Sequence, residues 1–448
     1  MNTPSLQDGI DKAGSAIKLM WRPDAPFHSV PVVAPEYAGW AKEQDAWLNG
    51  VAFSDMSHHM SDLFIEGPDA ARLLATVSAN DYEKFAVGQA KQFIPVTPEG
   101  NIINDAILFR LAEDKFDLVG ISSAHNWVMY HGKKDNYNVK FQFDPTSDFR
   151  GGRPPVLFRY QVQGPKANEV IERAFGGPLP QMKFFHFKEI TLAGRTICAF
   201  RHGMAAQAGG EFFGPWEHAE AVKEALFKAG DAAGMIHVGG LAYYTNSLES
   251  GWIPTPLPAI YTSPALADYR KFVSLFSFEG QLPIKGSFYS ENIEDYYVSP
   301  WELGYGRSIH FNHEFIGSEA LKRGQETVKR TRVTLVWDPD DVKRVFGRDH
   351  GYIMAHSQDR VEIDNKMIGM AMHTGFLAPY GTVLSLALIN KEQAAPGTEV
   401  TLVWGTHPGH TSSAAPNFSY IKATVQPSPY TEYARTQYRT NPSVQAAK

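Results

Sequence analysis

Twice in the first half of the chain a strand-like run closes on glycine and proline and gives way at once to a helical pattern. DLFIEG (residues 62–67) leads into PDAARLLATVSA (68–79), and RYQVQG (159–164) leads into PKANEVIERAFG. Glycine lets the chain turn, and proline is tolerated in the first turn of a helix, where its missing N–H would be unpaired anyway. In the second of these helices Ala167, Val170, Ile171 and Ala174 recur at the spacing of one buried face. A third helix, EHAEAVKEALFKAG, sets Val222, Leu226 and Ala229 on one side and is expected to stop at Gly230. Strands and helices mixed in this way predict an α+β fold.

Past about residue 325 the pattern changes. TRVTLVW, RVEIDNKMIGMAMHTG, VLSLALI and TEVTLVWG read as short strands between turn signals, with few helical patterns. They predict a separate all-β module over 326–430, a small barrel or sandwich. The region before it, 1–325, is expected to hold two subdomains, and 448 residues give each unit room for its own core. The end, PSPYTEYARTQYRTNPSVQAAK, reads over 431–448 as a tail that wraps the surface or frays.

Charge and cysteine content remove several classes of function. Lys and Arg number 42 against 48 Asp and Glu, a net charge of −6, and no basic run occurs that could track a phosphate backbone. The single cysteine, Cys198, excludes an intramolecular disulfide and a cysteine-ligated metal cluster. The first residues lack the basic and apolar blocks of a signal peptide. The apolar stretch around VLSLALI falls far short of the roughly 20 residues that span a bilayer. A cytoplasmic protein, monomer or homo-oligomer, without nucleic-acid or membrane partner, is the expectation. G-x-G-x-x-G, the P-loop and G-x-S-x-G are all missing.

Two clusters hold candidate chemistry. SDMSHHMSD carries His58 and His59 between Asp55 and Asp62. A metal there would need further ligands from motifs the chain lacks, so no metal is expected. Adjacent histidines point to opposite sides, so at most one faces a given pocket. His407 and His410 in THPGH read as part of a solvated turn. The second cluster, HVGGLAYYTNSLESGWIPTPLPAIY, reads as a rigid aromatic loop, either a packed crossover or a ligand lining.

In order along the chain, several segments resemble the aminomethyltransferase superfamily, the folate-binding family of the glycine-cleavage T-protein. They are SDMSHHMSDLFIEGPDAARLL, GQAKQFIPVTPEGNIINDAILFRL, AGGEFFGPWEHAEAVKEAL, FIGSEAL, and MIGMAMHTGFLAPY through GTEVTLVWG. Within it, PVVAPEYAGW, SHHMSDL, AKQFIPVTPEG, NWVMYH, RHGMA, NSLESGWIPTPLPAIY and NIEDYYVSPWELGYG resemble the tetrahydrofolate-dependent aryl O-demethylases of the vanillate and syringate type, enzymes of lignin-aromatic catabolism. NSLESGWIPTPLPAIY also replaces the arginine- and aspartate-bearing stretch usual in glycine-cleavage enzymes, which argues against the aminomethyl reaction. The cysteine signature of the tRNA-modifying relatives has no counterpart around Cys198.

The resemblance implies transfer of a methyl group from an aryl ether oxygen to N5 of tetrahydrofolate. Tyr243 falls at the family's catalytic tyrosine and His59 at its companion histidine, with Tyr244 the competitor next in sequence. Glu211 matches the pterin-anchoring carboxylate, Gln161 lies in the matching strand, Trp252 would pack against the folate, and Asp105 lies near N5. The substrate side departs from the vanillate pattern. Ile121 stands where an arginine clamps the benzoate carboxylate, and isoleucine forms no salt bridge. Val30 stands where a tyrosine occurs in the family. The ring-binding end is therefore more apolar, and His58, His125 or Arg22 are candidates to contact the substrate. The substrate expected is a methoxybenzoate, including a halogenated one such as dicamba, or a methoxyphenol. A small aliphatic methyl donor, and folate binding without catalysis, are the alternatives.

Overall fold

The computed structural model describes residues 3–440 except 28, 31 and 349. Two sheets and a barrel carry the chain. The first sheet runs in the order Ile236–Val238, Ala52–Asp55, Leu157–Gln163, Gly209–Pro215, Arg195–Phe200, Phe187–Leu192. Its pairs are antiparallel except the first, which is parallel. The second, antiparallel throughout, runs Ala90–Phe93, Ala106–Ala112, Lys115–Gly120, Ser61–Glu66, Lys140–Asp144.

Each glycine–proline unit follows an inner strand, one in each sheet. Both make the same turn: Ala70 N–H donates to the Gly67 carbonyl and Ala167 N–H to the Gly164 carbonyl, each at 3.0 Å. Proline's fixed φ suits the first corner of such a turn. The prolines thus sit in the turn that feeds each helix, Ala70–Thr76 and Ala167–Phe175, rather than in its first turn as expected. Both glycines have positive φ, 147° and 130°. A Cβ on Gly164 would lie 2.5 Å from the Gly50 carbonyl oxygen, and one on Gly67 2.4 Å from that of Asn138. Alanine fits at neither.

The helix Ala219–Gly230 does not stop as expected. Gly230 keeps helical φ, a short 3-10 turn Asp231–Ala233 follows, and the left-handed residue is Gly234 at φ 68°. Gly230 is small because a Cβ there would lie 2.7 Å from Met235. The expected aromatic loop after it contains a helix, Gly240–Ser250. Ala242, Tyr243, Thr245, Asn246, Ser247, Leu248 and Glu249 are all buried, so this helix is covered nearly all round and shows no amphipathic stripe.

The last module is a barrel that begins at Arg330. Arg330–Trp337, Thr382–Asn390, Lys366–Leu377, Asp359–Ile363, Glu399–Trp404 and Ser419–Gln426 pair in a closed circuit, with Met354–Ala355 added at the side. Asp364 and Asn365, at φ 49° and 60°, form the hairpin turn inside RVEIDNKMIGMAMHTG. VLSLALI is apolar at every position but Ser385 because both faces of its strand are covered. Val383, Ala387 and Ile389 fill the barrel, while Leu384, Leu386 and Leu388 pack on Leu248, Ile253, Val298 and Leu303 of the preceding region. A helix the sequence pattern did not suggest, Pro339–Phe346, is capped by Asp338, whose carboxylate accepts from the N–H groups of Asp340 and Asp341. The C-terminal segment folds back: the helix Glu432–Thr436 precedes Tyr438, whose hydroxyl accepts from Gly203 N–H at 2.6 Å and donates to the Gly203 carbonyl at 2.9 Å. Residues 441–448 of the expected tail lie outside the described residues. Among the described residues no helix is long and apolar enough to cross a membrane.

Candidate functional site

A cavity of about 190 Å³ is bordered by both sheets, the barrel and the C-terminal segment. The strands Leu157–Gln163 and Gly209–Pro215 set Gln161 directly opposite Glu211. The Gln161 amide donates to Glu211 Oε2 at 3.1 Å, and Gln161 Oε1 accepts from Met204 N–H at 3.2 Å. Gln161, Glu211, Asp105, Trp252 and Ile121, five of the residues singled out from sequence, all border this one cavity.

Beneath Glu211 lies Arg159, 2% exposed. Its guanidinium pairs with Asp62 at 2.5 Å, Asp117 at 2.6 Å and Glu211 at 3.5 Å. Three carboxylates around one buried cation cannot all be equally comfortable. Burial and the charge of Asp62 drive the Asp117 pKa well up, against the pull of Arg159. Burial also pushes on Glu211, but the hydrogen bond from His202, the charge of Arg159 and the Gln161 amide outweigh it and hold its pKa below the ordinary value. Glu211 is thus a buried carboxylate kept ionised at the cavity wall, with a 3.5 Å contact to His202 Nδ1 on its Oε2.

Across the cavity Asp105 Oδ2 accepts from Trp252 Nε1 at 2.8 Å and from the Gln92 amide. Burial raises the Asp105 pKa to about 6, and those two hydrogen bonds limit the rise. The indole bond fixes Trp252 just past the end of the helix Gly240–Ser250.

Earlier in that helix is Tyr243. Its ring lies 4.1 Å from that of His59, tilted by 36°. Its hydroxyl is buried with no hydrogen-bond partner. Burial, then the electrostatic influence of Tyr244 and Glu211, drives its pKa far above that of free tyrosine. Neither Tyr243 nor His59 borders the cavity; Met56, Met60 and Met204 do, and Met56 and Met204 pack in one apolar cluster with Tyr243. Tyr244 lies 6.1 Å from His59 and stacks edge-on to Phe27 at 4.9 Å.

The structure separates the remaining candidates. Ile121 borders the cavity beside Met60, Ile107 and Val119. Val30 is buried, and its backbone N–H faces the Tyr244 hydroxyl. His58 turns away from His59: its Nδ1 shares a 2.7 Å hydrogen bond with the Ser147 hydroxyl, and its ring packs on Trp216. His125 is fully buried in the helix Ser122–Lys134, its Nε2 bonded to the Leu118 carbonyl at 2.8 Å. Burial lowers its pKa to about 4, so it is neutral. Arg22 donates to the Gly280 carbonyl at 2.7 Å and to Gln281, tying the N-terminal segment down. None of His58, His125 and Arg22 borders the cavity.

Sequence reading passed over Arg159, Gln92, His202, Arg332 and Tyr438. A signal existed for one of them: Arg159 in LFRYQVQ is the single charge of its strand, set between the aromatic residues Phe158 and Tyr160. Charges in such positions are paired or aimed at a site. Cys198 is half-buried, and burial moves its thiol pKa up to about 11.

The GCVT N-terminal domain model matches residues 21–255. A syringate O-demethylase of Sphingobium sp. is 40% identical over 451 residues, covering 97% of each chain. A sesamin methylene transferase of Sinomonas sp. is 28% identical, over 85% of this chain and 87% of that one. The glycine cleavage system aminomethyltransferase T of Bartonella henselae superposes with a TM-score of 0.59 at 21% identity, over 89% of this chain and 91% of that one, which shows the shared fold. With the family model matched over more than half of its length and a relative this similar from end to end, the chain belongs to the GCVT family, the aminomethyltransferase superfamily of tetrahydrofolate-dependent enzymes.

Proposed function

We propose that this enzyme moves the methyl group of an aryl methyl ether to N5 of tetrahydrofolate, releasing a phenol. The observation that carries the reading is the pairing of two features. One is a buried Tyr243 hydroxyl without a hydrogen-bond partner, its ring against His59. The other is a cavity walled by an ionised carboxylate and an amide on adjacent strands. The 40% identity to a syringate O-demethylase supports the same reading.

The residues present fit a pterin. Glu211, held ionised, accepts hydrogen bonds from the pterin amino and ring N–H groups, and Gln161 completes that edge. Trp252 flanks the pterin, its indole steadied by Asp105. Asp105 itself lies at the N5 end, with its charge softened by burial. Tetrahydrofolate, when bound, supplies the amine that takes the methyl group.

Phenoxide is a poor leaving group unless its developing charge is met. Tyr243 keeps its proton at neutral pH, so it acts as a hydrogen-bond donor to the ether oxygen as the C–O bond breaks. Donation of this kind is worth about 10²–10⁴-fold. His59 orients the tyrosine ring. Alignment of methyl carbon and acceptor adds several kcal/mol more.

Val30 lies outside the cavity lining, but Ile121 with Met60, Ile107 and Val119 gives that wall an apolar patch, so the reading covers a methoxyphenol or a methoxybenzoate, halogenated forms included. A cytoplasmic setting in aromatic catabolism goes with it. The test is turnover on a panel of methoxybenzoates and methoxyphenols with tetrahydrofolate, following 5-methyltetrahydrofolate and the phenol together. Equal formation of both from a panel member is the expected result. Folate binding without turnover of any aryl ether would overturn the reading in favour of an aliphatic methyl donor or a non-catalytic role.

A further inference from the structure

The paired edge of Gln161 and Glu211 depends on a loop. Residues 201–206 lie against the strand Leu157–Gln163 and engage two of its side chains. Met204 N–H donates to Gln161 Oε1 at 3.2 Å, and Ala205 N–H donates to Gln163 Oε1 at 2.9 Å. The two glutamines are two positions apart, on one face of the strand. An amide whose oxygen accepts from Met204 turns its NH₂ the other way, and there it donates to Glu211 Oε2 at 3.1 Å. The loop thus sets which end of Gln161 meets Glu211. His202, in the same loop, brings Nδ1 to 3.5 Å from that same carboxylate oxygen.

Between His202 and Met204 is Gly203. A Cβ there would lie 1.5 Å from Gln163 Nε2, so its backbone rests directly on that side chain. Both of its polar groups are taken by one hydroxyl from the far end of the chain: Tyr438 accepts from its N–H at 2.6 Å and donates to its carbonyl at 2.9 Å. The Tyr438 carbonyl accepts from Arg201 at 3.4 Å, and its ring lies edge-on to Phe184 at 5.3 Å. The segment that carries Tyr438 is lightly held. Ala434 is the buried residue of the helix Glu432–Thr436, while Glu432, Arg435 and Thr436 are exposed. Pro429, Ala434 and Tyr438 nonetheless border the cavity. A segment with few buried apolar groups opens at low cost, so a pair of hydrogen bonds near its end decides how long it stays closed.

We propose that Tyr438 is a positioning residue for the pterin: by gripping Gly203 it fixes the loop 201–206, and through Met204 and His202 the hydrogen-bonding edge of Gln161 and Glu211. The proposal rests on the folate reading above. Tyr438 acts through the loop and needs no contact with the ligand. When its hydroxyl lets go, Met204 N–H is free to leave Gln161, the amide loses the bond that orients it, and the edge no longer matches a planar heterocycle. Order in the C-terminal segment and order at the pterin edge are then one equilibrium.

The test compares the full-length wild type with Tyr438→Phe, which keeps the ring on Phe184 and removes both bonds to Gly203. Tetrahydropteroate, which lacks the glutamate, is the probe, so only the pterin end is read. The variant should bind it about tenfold more weakly, chiefly through faster dissociation. Hydrogen exchange of the ligand-free variant should be about tenfold faster in peptides covering 201–206, with the barrel strands unchanged. In the wild type, tetrahydropteroate should slow exchange in 201–206 and in 429–440 over the same concentration range. Unchanged affinity in the variant would overturn the proposal, as would weaker binding with unchanged exchange in 201–206. Faster exchange throughout the variant would make Tyr438 a support of the whole fold and overturn it too. So would protection of one stretch without the other in the wild type, a result that does not depend on the variant. Failure of the wild type to bind tetrahydropteroate would remove the folate reading itself, an outcome distinct from binding that ignores Tyr438.

Discussion

Gln161 and Glu211 face each other across adjacent antiparallel strands, 3.1 Å apart, and both look into the same cavity. An amide and an ionised carboxylate held edge to edge present one donor–acceptor face to a planar heterocycle. Replacing Glu211 by Gln keeps the shape and removes the charge. Affinity for tetrahydrofolate should fall about 10–100-fold, the worth of one charge-assisted hydrogen bond, while melting behaviour stays near that of the wild type. Isothermal calorimetry reads the first and a thermal melt the second.

Removing the Tyr243 hydroxyl leaves packing intact, because no protein group bonds to it. Tyr243→Phe should therefore fold, bind tetrahydrofolate normally and lose about 10²–10⁴-fold in kcat. Near-normal kcat would take Tyr243 out of the chemistry.

Arg159 holds three carboxylates, two of them within 2.6 Å. Arg159→Leu strands those charges in the interior, at a cost of about 3–5 kcal/mol. Denaturant titrations should show that loss at pH 7.5 and partial recovery as acid protonates the stranded groups. A uniform loss at every pH would mean that packing, not charge, dominates.

Glu249 is fully buried in the helix Gly240–Ser250 and accepts from the Tyr380 hydroxyl at 2.8 Å, joining that helix to the barrel. Burial raises its pKa from 4.5 to about 7. A raised carboxyl binds its proton more tightly in the folded state. Folding stability therefore declines as pH rises from about 4.5 to 7, and the full penalty persists above that. Glu249→Gln should stabilise the protein by about 2 kcal/mol at pH 8 and by little at pH 4.5. Melting curves at the two pH values check the sign.

Ile121 brings an apolar side chain to the cavity wall, and isoleucine forms no salt bridge with a carboxylate. Ile121→Arg should lower KM for a methoxybenzoate relative to the matching methoxyphenol by about tenfold, with kcat little changed. An unchanged ratio would mean that the ring's carboxylate binds elsewhere.

Local chemistry made much of this legible. The glycine–proline units at Gly67 and Gly164 announced the two inner strands and the helices they feed, since only a short-range turn is involved. The barrel strands were visible as short β-rich runs. The helix Gly240–Ser250 was not, because its burial on nearly every side erases the stripe by which an amphipathic helix is recognised. His58, His125 and Arg22 were plausible by residue type, yet each spends its polar atoms on a neighbour away from the cavity.

By itself the sequence determined the glycine–proline turns with the strands and helices they join, the β-rich character of the C-terminal region and the family, because turns, periodicity and motif order are read along the chain. Tertiary structure alone decided which charges share a space. Arg159 meets Asp62, Asp117 and Glu211, and Arg332 approaches Arg439, only when a sheet, a barrel and the C-terminal segment close on one cavity. Electrostatic energy depends on distance and burial, and neither is written in sequence spacing.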